Sequence, residues 1–447
     1  MLYPFLNVWD ERFHALVAKN LMHHPLMPTL YDDPIVNMAY SDSWATYHIW
    51  LHKQPLFMWQ IALSFKIFGV NEFALRLPSV LLGCLIVFAG YRSGKILGNK
   101  NTGYYTALLL ATSPYIMQLI SGRVGLDQND VSFIEYISLS LWAWLEYIKT
   151  KEIKWLVLIG IFSGFAILCK WLVGLLVYLS WGLYSVMENK LQIKKYKDIL
   201  LAVGITVIVF LPWQIFTFYQ YPNEAKAALD LNAKHFTMAV DGQGGSFLYH
   251  FNLISKLYGS LVLYLIIPAF IIFYLKTSYR KIALAMISSI LFVYLFFSFA
   301  ATKMPSFTSV VILPMCLALA FLIDFLINSF EKLKLPLHIN RTFLLVTLVL
   351  LVFFRVDITL LLKYHTFSMP LKVDDDNYRP ALSHNKKVFQ SLHLPANTVI
   401  FNVTARTYID AMFYTGLPTY NFIPSEEQYR DMKQKKRLIA IFKPQDG

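Results

Sequence analysis

Long apolar runs dominate the pattern of hydrophobic and polar positions after residue 76. Each is long enough to cross a bilayer as a helix, since about 20 apolar residues span the hydrocarbon core. The run at 155–187 is too long for one crossing, and Lys170 interrupts it near its middle. We interpret that run as two short crossings that turn at Lys170, so the pattern predicts about ten spans. The runs are 77–97, 103–121, 131–148, 155–187, 199–219, 257–275, 282–300, 310–328 and 342–362.

The segments on either side of these runs have a different pattern. Residues 1–76 are amphipathic, and their longest apolar stretch, 56–69, is about 14 residues, which favours a helix lying along the membrane interface. Residues 363–447 are polar, with strand-like stretches at 397–403 and 437–443 and a helical stretch at 407–414. The pattern therefore predicts a first loop (1–76), a transmembrane domain (77–362) and a small α/β domain (363–447).

The distribution of basic residues orients the predicted spans. With ten spans, the loops of one face carry 16 Lys and Arg residues in short clusters. Because cytoplasmic loops are enriched in Lys and Arg, this face is predicted to be cytoplasmic. Residues 1–76 and 363–447 then lie on the outer face. The outer loops between spans carry six basic residues, namely Arg123, Lys170, Lys226, Lys234, Lys256 and Lys303.

The composition agrees with a membrane protein and argues against nucleic-acid binding. Hydrophobic residues make up 57% of the chain and charged residues only 15%, against about 25% charged in soluble domains. The net charge of +13 comes from clusters between apolar runs rather than from one basic surface. The three cysteines lie in apolar runs, so neither a disulfide framework nor a thiolate metal site is expected.

The outer face combines carboxylates with isolated cations. Asp10 and Glu11 are adjacent, and Asp127 follows Arg123 closely. Singly, a lone Lys or Arg in an outer turn is typical of a side chain anchoring a helix end. Together with Lys53, the lone cations would form a cluster of the kind that binds phosphate. Cations beside carboxylates suit a reaction on a lipid-linked phosphate, in which a carboxylate activates the nucleophile.

The order of these motifs resembles that of the membrane glycosyltransferases with the C-type fold. The most specific part is Lys-Gln-Pro-Leu at 53–56, followed by Phe-Gly-Val-Asn-Glu-Phe-Ala-Leu-Arg-Leu-Pro-Ser at 68–79. The chain looks most like the branch of protein O-mannosyltransferases and bacterial aminoarabinose transferases of lipid A. The resemblance continues through Ser121-Gly122-Arg123, Cys169-Lys170 and Thr302-Lys303-Met304-Pro305, and covers nearly all of 1–328.

The resemblance implies an all-α polytopic membrane protein, a GT-C-like helical bundle, with interfacial helices in the first outer loop and a small α/β extracytoplasmic C-terminal domain. It implies transfer of a sugar from a polyprenyl-phosphate donor to an acceptor outside the bacterial inner membrane, which could be lipid A, a glycan or a protein. Arg76 is interpreted as structural, anchoring the start of the first span. The implied site residues are Asp10 as the catalytic carboxylate, Glu11 as its partner, Lys53 and Arg123 as donor-phosphate contacts, Asp127 as their orienting group, and Lys303 as a further phosphate contact.

The sequence leaves the metal content of the site open. In the aminoarabinose transferases a Glu before the Lys and a downstream His bind a metal. This chain has His52 and Gln243 at those places, with His235 and His250 nearby. Since glutamine is a poor zinc ligand, a divalent cation remains an open expectation without an assigned ligand set.

Two other functions are compatible with charged residues among membrane helices. A flippase or transporter of lipid-linked sugars would have charges at mid-bilayer and paired interrupted helices in two related halves. A non-catalytic scaffold would need no convergent set of cations. The charges here fall at turns on one face, which favours the enzyme.

The resemblance also carries an expectation about the start of the chain. In the family, the Asp-Glu pair directly follows a complete first helix, whereas residues 1–8 are too few to cross a membrane. We therefore expect the native protein to have a further leading span, with its coding start assigned too late.

Overall fold

The computed structural model describes residues 4–8, 10–36, 44–120, 128–189, 192, 196–332, 342–347, 349, 375–404 and 407–443. The chain forms two compact units. The first consists of the described parts of Met1–Pro78, Leu119–Gln128 and Tyr364–Gly447. The second consists of the described parts of Ser79–Gln118 and Asn129–Lys363.

Helices make up most of the described chain. The first ten in chain order are α1 Asp10–Leu21, α2 Leu56–Phe68, α3 Glu72–Leu97, α4 Lys100–Ala111, α5 Pro114–Ile120, α6 Gln128–Thr150, α7 Ile153–Lys170, α8 Leu176–Asn189, α9 Lys197–Gln220 and α10 Pro222–Thr237. The others are α11 Tyr249–Asn252, α12 Ile254–Tyr258, α13 Val262–Lys276, α14 Arg280–Phe299, α15 Pro305–Ser309, α16 Ile312–Glu331, α17 Asp375–Ser391, α18 Thr407–Thr415 and α19 Glu426–Gln434.

The apolar helices confirm a multi-pass membrane protein. Five helical stretches of the described chain are long and apolar enough to span, and a sixth arises if the bent pair Tyr249–Tyr258 and Val262–Lys276 counts as one. The predicted run 103–121 is divided between α4 and α5, and most of 342–362 lies outside the described residues. The count of ten spans stays a prediction. The five stretches are Glu72–Leu97, Ile153–Glu188, Lys197–Gln220, Arg280–Phe299 and Ile312–Glu331.

Helix α7 ends at the predicted place within the long run 155–187. Helix α7 ends at Lys170, and Trp171 has a positive φ of 64° at the start of a 3-10 turn. A Cβ added to Gly174 would lie 2.9 Å from the Cβ of Ala166, whereas eight residues of continuous helix cover about 12 Å. The helix is therefore broken directly after Lys170, and the two crossings stay a prediction.

Two glycines allow close packing of helices in the second unit. A Cβ added to Gly160 would lie 2.6 Å from Ile205, and one added to Gly164 would lie 2.6 Å from Val209. Both glycines are on α7, four residues apart, and both clashing residues are on α9. Such small-xxx-small pairs let helix backbones approach in membranes, where association depends on van der Waals contact.

The C-terminal segment has the predicted α/β elements. Strands β1 Thr398–Phe401 and β2 Leu438–Ile441 pair in parallel, with α18 and α19 between them in sequence. These elements do not form a separate body, because they belong to the same compact unit as residues 1–78. Tyr408 Oη donates to the carbonyl of Ala45 at 2.7 Å, and Tyr420 Oη accepts from the amide of Val36 at 3.0 Å. Such contacts between distant segments have no periodic signal in the sequence.

Candidate active site

Helix α1 presents the predicted carboxylates in its first turn. Asp10 and Glu11 begin the helix, where negative side chains interact favourably with the positive end of the helix dipole. Ten of its 12 residues are buried, among them the charged Glu11 and Arg12. Asp10 keeps 13% of its side-chain surface exposed. A helix so enclosed holds its charged side chains in fixed directions.

Asp10 and Lys53 form the open part of the site. The Lys53 ammonium donates to Asp10 Oδ2 at 3.3 Å, and the Lys53 side chain is 14% exposed. Lys53 lies just before α2, which packs against α1. The structure thus brings together a predicted catalytic carboxylate and a predicted phosphate-binding cation from positions 43 residues apart.

Glu11 is placed very differently from its neighbour. Its side chain is 0% exposed, and the Arg76 guanidinium donates to Oε1 at 2.8 Å and to Oε2 at 3.0 Å. Oε1 also accepts from Gln128 Nε2 at 3.0 Å, and Oε2 accepts from the Asn7 amide at 2.7 Å. With donors on both oxygens, this carboxylate is suited to anchoring rather than to taking a proton. Arg76 thus holds the first turn of α1 through Glu11, a partner that the sequence did not indicate.

His14 and Gln128 extend this network. Gln128 Oε1 lies 3.0 Å from His14 Nδ1. Because Gln128 donates its amide to the acceptor-only Glu11, its oxygen faces His14, and Nδ1 carries the proton. Burial lowers the pKa of His14 to about 4, so the ring is neutral near pH 7. The spacing of four residues from Asp10 puts His14 on the same face of α1, which is the only sequence signal for it; nothing in the sequence indicated Gln128.

The other predicted cations have different surroundings. Arg123 and Asp127 lie outside the described residues. Lys303, in the second unit, donates its three ammonium hydrogens to the carbonyls of Phe297, Ser298 and Ala300, between 2.6 and 3.0 Å. Those carbonyls end α14, so Lys303 caps a helix and has no donor left for a phosphate in this geometry. This differs from the role that the resemblance implied.

Lys170 is also neutralised within the second unit. Its ammonium contacts Asp130, whose side chain is 3% exposed, and donates to Ser306 Oγ at 3.3 Å. The sequence had suggested Lys170 as one of the free cations of a phosphate cluster. Asp130 lies near the start of α6, but no sequence pattern pairs it with Lys170.

The histidines that the sequence placed near a metal site are engaged in other contacts. Among them, no group of three or more His, Cys, Asp or Glu side chains lies close enough to hold an ion. His52 stacks on Trp44 with ring centroids 4.4 Å apart, and His235 Nδ1 lies 3.2 Å from Thr302 Oγ1. The divalent cation stays an expectation without an assigned ligand set.

Comparison with known proteins gives one family match. The sequence model described as dolichyl-phosphate-mannose-protein mannosyltransferase matches residues 52–216. An uncharacterized protein of Aquifex aeolicus is 30% identical over 371 residues, which are 79% of this chain and 67% of that protein. An undecaprenyl phosphate-alpha-4-amino-4-deoxy-L-arabinose arabinosyl transferase of Pseudomonas fluorescens is 27% identical over 42% of this chain. That match spans 35% of the transferase, so only about a third of the relative is covered.

Solved structures share the fold. The crystal structure of ArnT from Cupriavidus metallidurans bound to undecaprenyl phosphate matches 98% of this chain and 86% of its own, with a TM-score of 0.68 and 18% identity. The archaeal oligosaccharyltransferase AglB from Archaeoglobus fulgidus, in complex with an inhibitory peptide and a dolichol-phosphate, matches with a TM-score of 0.59 and 10% identity. It covers 99% of this chain and 66% of that one. At these identities the likeness concerns the fold alone.

Proposed function

Because the chain belongs to the C-type-fold membrane glycosyltransferases of the protein O-mannosyltransferase and aminoarabinose transferase family, we propose that it transfers a sugar from a polyprenyl-phosphate donor. The acceptor lies on the outer side of the bacterial inner membrane and is lipid A, another glycan or a protein. The transferred sugar is a pentose or a hexose. The relatives named as transferases favour this function over a flippase.

The observation that carries the proposal is the partly exposed pair of Asp10 and Lys53. A carboxylate and an ammonium 3.3 Å apart, each with some 13–14% of the side chain exposed, provide a base and a phosphate-binding cation at one point. Glycosyl transfer from a lipid phosphate needs these two groups near the anomeric carbon.

The proposed reaction is a single displacement. The acceptor hydroxyl or amine attacks the anomeric carbon, and its proton passes to the Asp10 carboxylate. The bond between the anomeric carbon and the phosphate oxygen breaks, and the electron pair leaves with the polyprenyl phosphate. Lys53 stabilises the charge that develops on this leaving group. Attack opposite the leaving group inverts the anomeric configuration.

Without a bound donor, the charges of Lys53 and Asp10 neutralise each other. Lys53 and Asp10 satisfy each other at 3.3 Å. In the proposed cycle the donor phosphate, a diester whose negative charge is shared by two oxygens, accepts a charge-assisted hydrogen bond from the Lys53 ammonium in place of Asp10. Donor binding would therefore release Asp10 to accept a proton from the acceptor. Glu11, held by Arg76, keeps the start of α1 in place during this exchange.

The test is a transfer assay with the purified full chain in proteoliposomes. Candidate polyprenyl-phosphate sugars are supplied, and free polyprenyl phosphate is measured as the product common to all acceptors. Polyprenyl phosphate is expected to be released only when the wild-type protein is present and a fraction that contains candidate acceptors is added. Donors carried across the bilayer without cleavage would instead indicate a flippase.

A further inference from the structure

Three consecutive charged residues of α1 are held by three distant parts of the chain. Asp10 contacts Lys53, Glu11 contacts Arg76, and Arg12 contacts Asp410 of α18. Successive residues of an α-helix point about 100° apart, so these ion pairs act around most of the helix circumference. Together they fix both the rotation of α1 and its position along its axis.

The third of these pairs comes from the C-terminal segment and is deeply buried. Arg12 Nη2 lies 3.3 Å from Asp410 Oδ2, and each side chain is 4% exposed. A buried charge that loses its partner is strongly destabilising, because the remaining charge stays desolvated. Arg12 would then move toward water or toward another carboxylate, and the neighbouring Asp10 would move with it.

Other contacts from α18 and α17 hold the same helix and the residues before it. Lys19, in the last turn of α1, donates to the carbonyl of Phe413 at 2.7 Å. Tyr414 Oη accepts from the amide of Leu6 at 3.1 Å and donates to Glu72 at 2.8 Å. Lys386 of α17 donates to the carbonyl of Pro4 and to Glu72, both at 2.7 Å. The C-terminal segment therefore contacts the residues just before α1 as well as the first and last turns of this helix.

We propose that Asp410 is a positioning residue for the transfer reaction, which orients Asp10 by holding Arg12 from the C-terminal segment. This proposal rests on the proposed function and adds a residue to it. Residues 375–443 are then part of the catalytic scaffold rather than an appended acceptor-binding domain. Asp410 itself touches neither substrate, since its contact runs through Arg12.

The test compares Asp410→Asn with a matched surface variant of the full chain. Asp431→Asn makes the same chemical change in an exposed ion pair with Lys435. The side chain of Asp431 is 46% exposed and that of Lys435 is 56% exposed. Transfer rates are measured in proteoliposomes at saturating acceptor, and thermal unfolding is recorded for each protein. Asp410→Glu is added as the conservative variant that restores the carboxylate.

Asp410→Asn is expected to lower kcat by about tenfold or more and to keep the KM for the donor within about threefold of wild type. Asp410→Glu is expected to recover part of kcat, and Asp431→Asn to match wild type. If the folded fraction of Asp410→Asn keeps wild-type kcat, the residue is only structural and the proposal is overturned. If instead the wild type transfers no sugar, or Asp10→Asn is fully active, the proposed function fails before this inference is reached.

Discussion

The chemistry at the residue scale depends on the unequal surroundings of two adjacent carboxylates. Asp10 is partly exposed beside one ammonium, whereas Glu11 is fully buried with hydrogen-bond donors on both oxygens. In the proposed reaction it is therefore Asp10 that takes the proton of the acceptor. The resemblance implied Asp10 as the catalytic carboxylate and Glu11 as its partner. It did not indicate the side chains that hold Glu11, because Gln128 and Arg76 lie 117 and 65 residues away from it.

Asp10→Asn is expected to abolish transfer while leaving the protein folded. The change keeps the size of the side chain and removes the basic carboxylate. The measurement is the rate of polyprenyl phosphate release in proteoliposomes, with thermal unfolding as the control for folding. A rate within about tenfold of wild type would remove Asp10 from the catalytic role.

Lys53→Ala is expected to weaken donor binding. A charge-assisted bond to a phosphate contributes about 1.5–3 kcal/mol, which corresponds to roughly tenfold to a hundredfold in affinity. Donor affinity is measured by titration, with the exposed Lys435→Ala as the matched control. Unchanged affinity in Lys53→Ala would place the phosphate elsewhere. The sequence implies the same loss for Arg123→Ala.

At the scale of elements, ion pairs and caps hold the ends of helices within each unit. The Glu11–Arg76 ion pair joins α1 to the first turns of α3. Lys303 donates to the carbonyls at the C-terminal end of α14. The sequence predicted the helices themselves from their apolar runs. The sequence could not predict which charged side chains cap these helices or link one helix to another. A lone cation at a helix end and a cation at a phosphate site have the same appearance in a sequence.

Glu11→Gln is expected to act on folding before it acts on catalysis. Removing one member of a buried ion pair costs about 3–5 kcal/mol, since the Arg76 guanidinium is left desolvated. The yield of folded protein and the midpoint of thermal unfolding should both fall, with Asp431→Asn as the unaffected reference. A variant that unfolds like wild type but has lost turnover would instead make Glu11 a direct participant in the reaction.

Lys303→Ala distinguishes a helix cap from a phosphate contact. As a cap, Lys303 satisfies three carbonyls at the end of α14, so its loss should lower the free energy of unfolding by about 1.5–3 kcal/mol. Donor affinity should stay within about twofold of wild type, as it should in the exposed variant Lys234→Ala. A tenfold loss of donor affinity with unchanged stability would restore the phosphate role that the resemblance implied.

At the scale of the whole molecule, the first and last parts of the chain fold as one unit. The polarity pattern predicted a boundary at each end of the membrane runs, and those boundaries are real changes in composition. It could not show that residues 1–78 and 364–447 pack together, because the joining contacts are single tyrosines and ion pairs, such as Tyr408 with Ala45 and Arg12 with Asp410. Within the C-terminal segment the predicted strands and helix were found, since they depend on local alternation.

The contact between the two ends of the chain should depend on pH. Burial raises the pKa of Asp410 to about 6, opposed by Arg12 and reinforced by Glu11. Tyr414 lies on the same helix, and Lys386 of the packed helix α17 is bound to Glu72. An acid with this pKa is ionised above about pH 6 and protonated below it, so the wild type itself loses the charge pair at lower pH.

The kcat ratio of wild type to Asp410→Asn should therefore be largest above pH 7 and approach one as the pH falls to about 5. The ratio is measured at several pH values in proteoliposomes, so that the titration of groups common to both proteins cancels. A ratio that stays constant between pH 5 and 8 would show that the ionised form of Asp410 has no part in the reaction.

If this chain moves a sugar from a lipid phosphate and Asp10 takes the proton of the acceptor, molecules of the cell envelope should carry that sugar only when Asp10 is intact. The most direct measurement is mass spectrometry of envelope glycolipids and glycoproteins from cells that contain the wild-type protein, Asp10→Asn or neither. A modification of one sugar mass is expected only with the wild type. If the modification occurs in all three samples, or persists with Asp10→Asn, the proposed transfer by Asp10 is wrong.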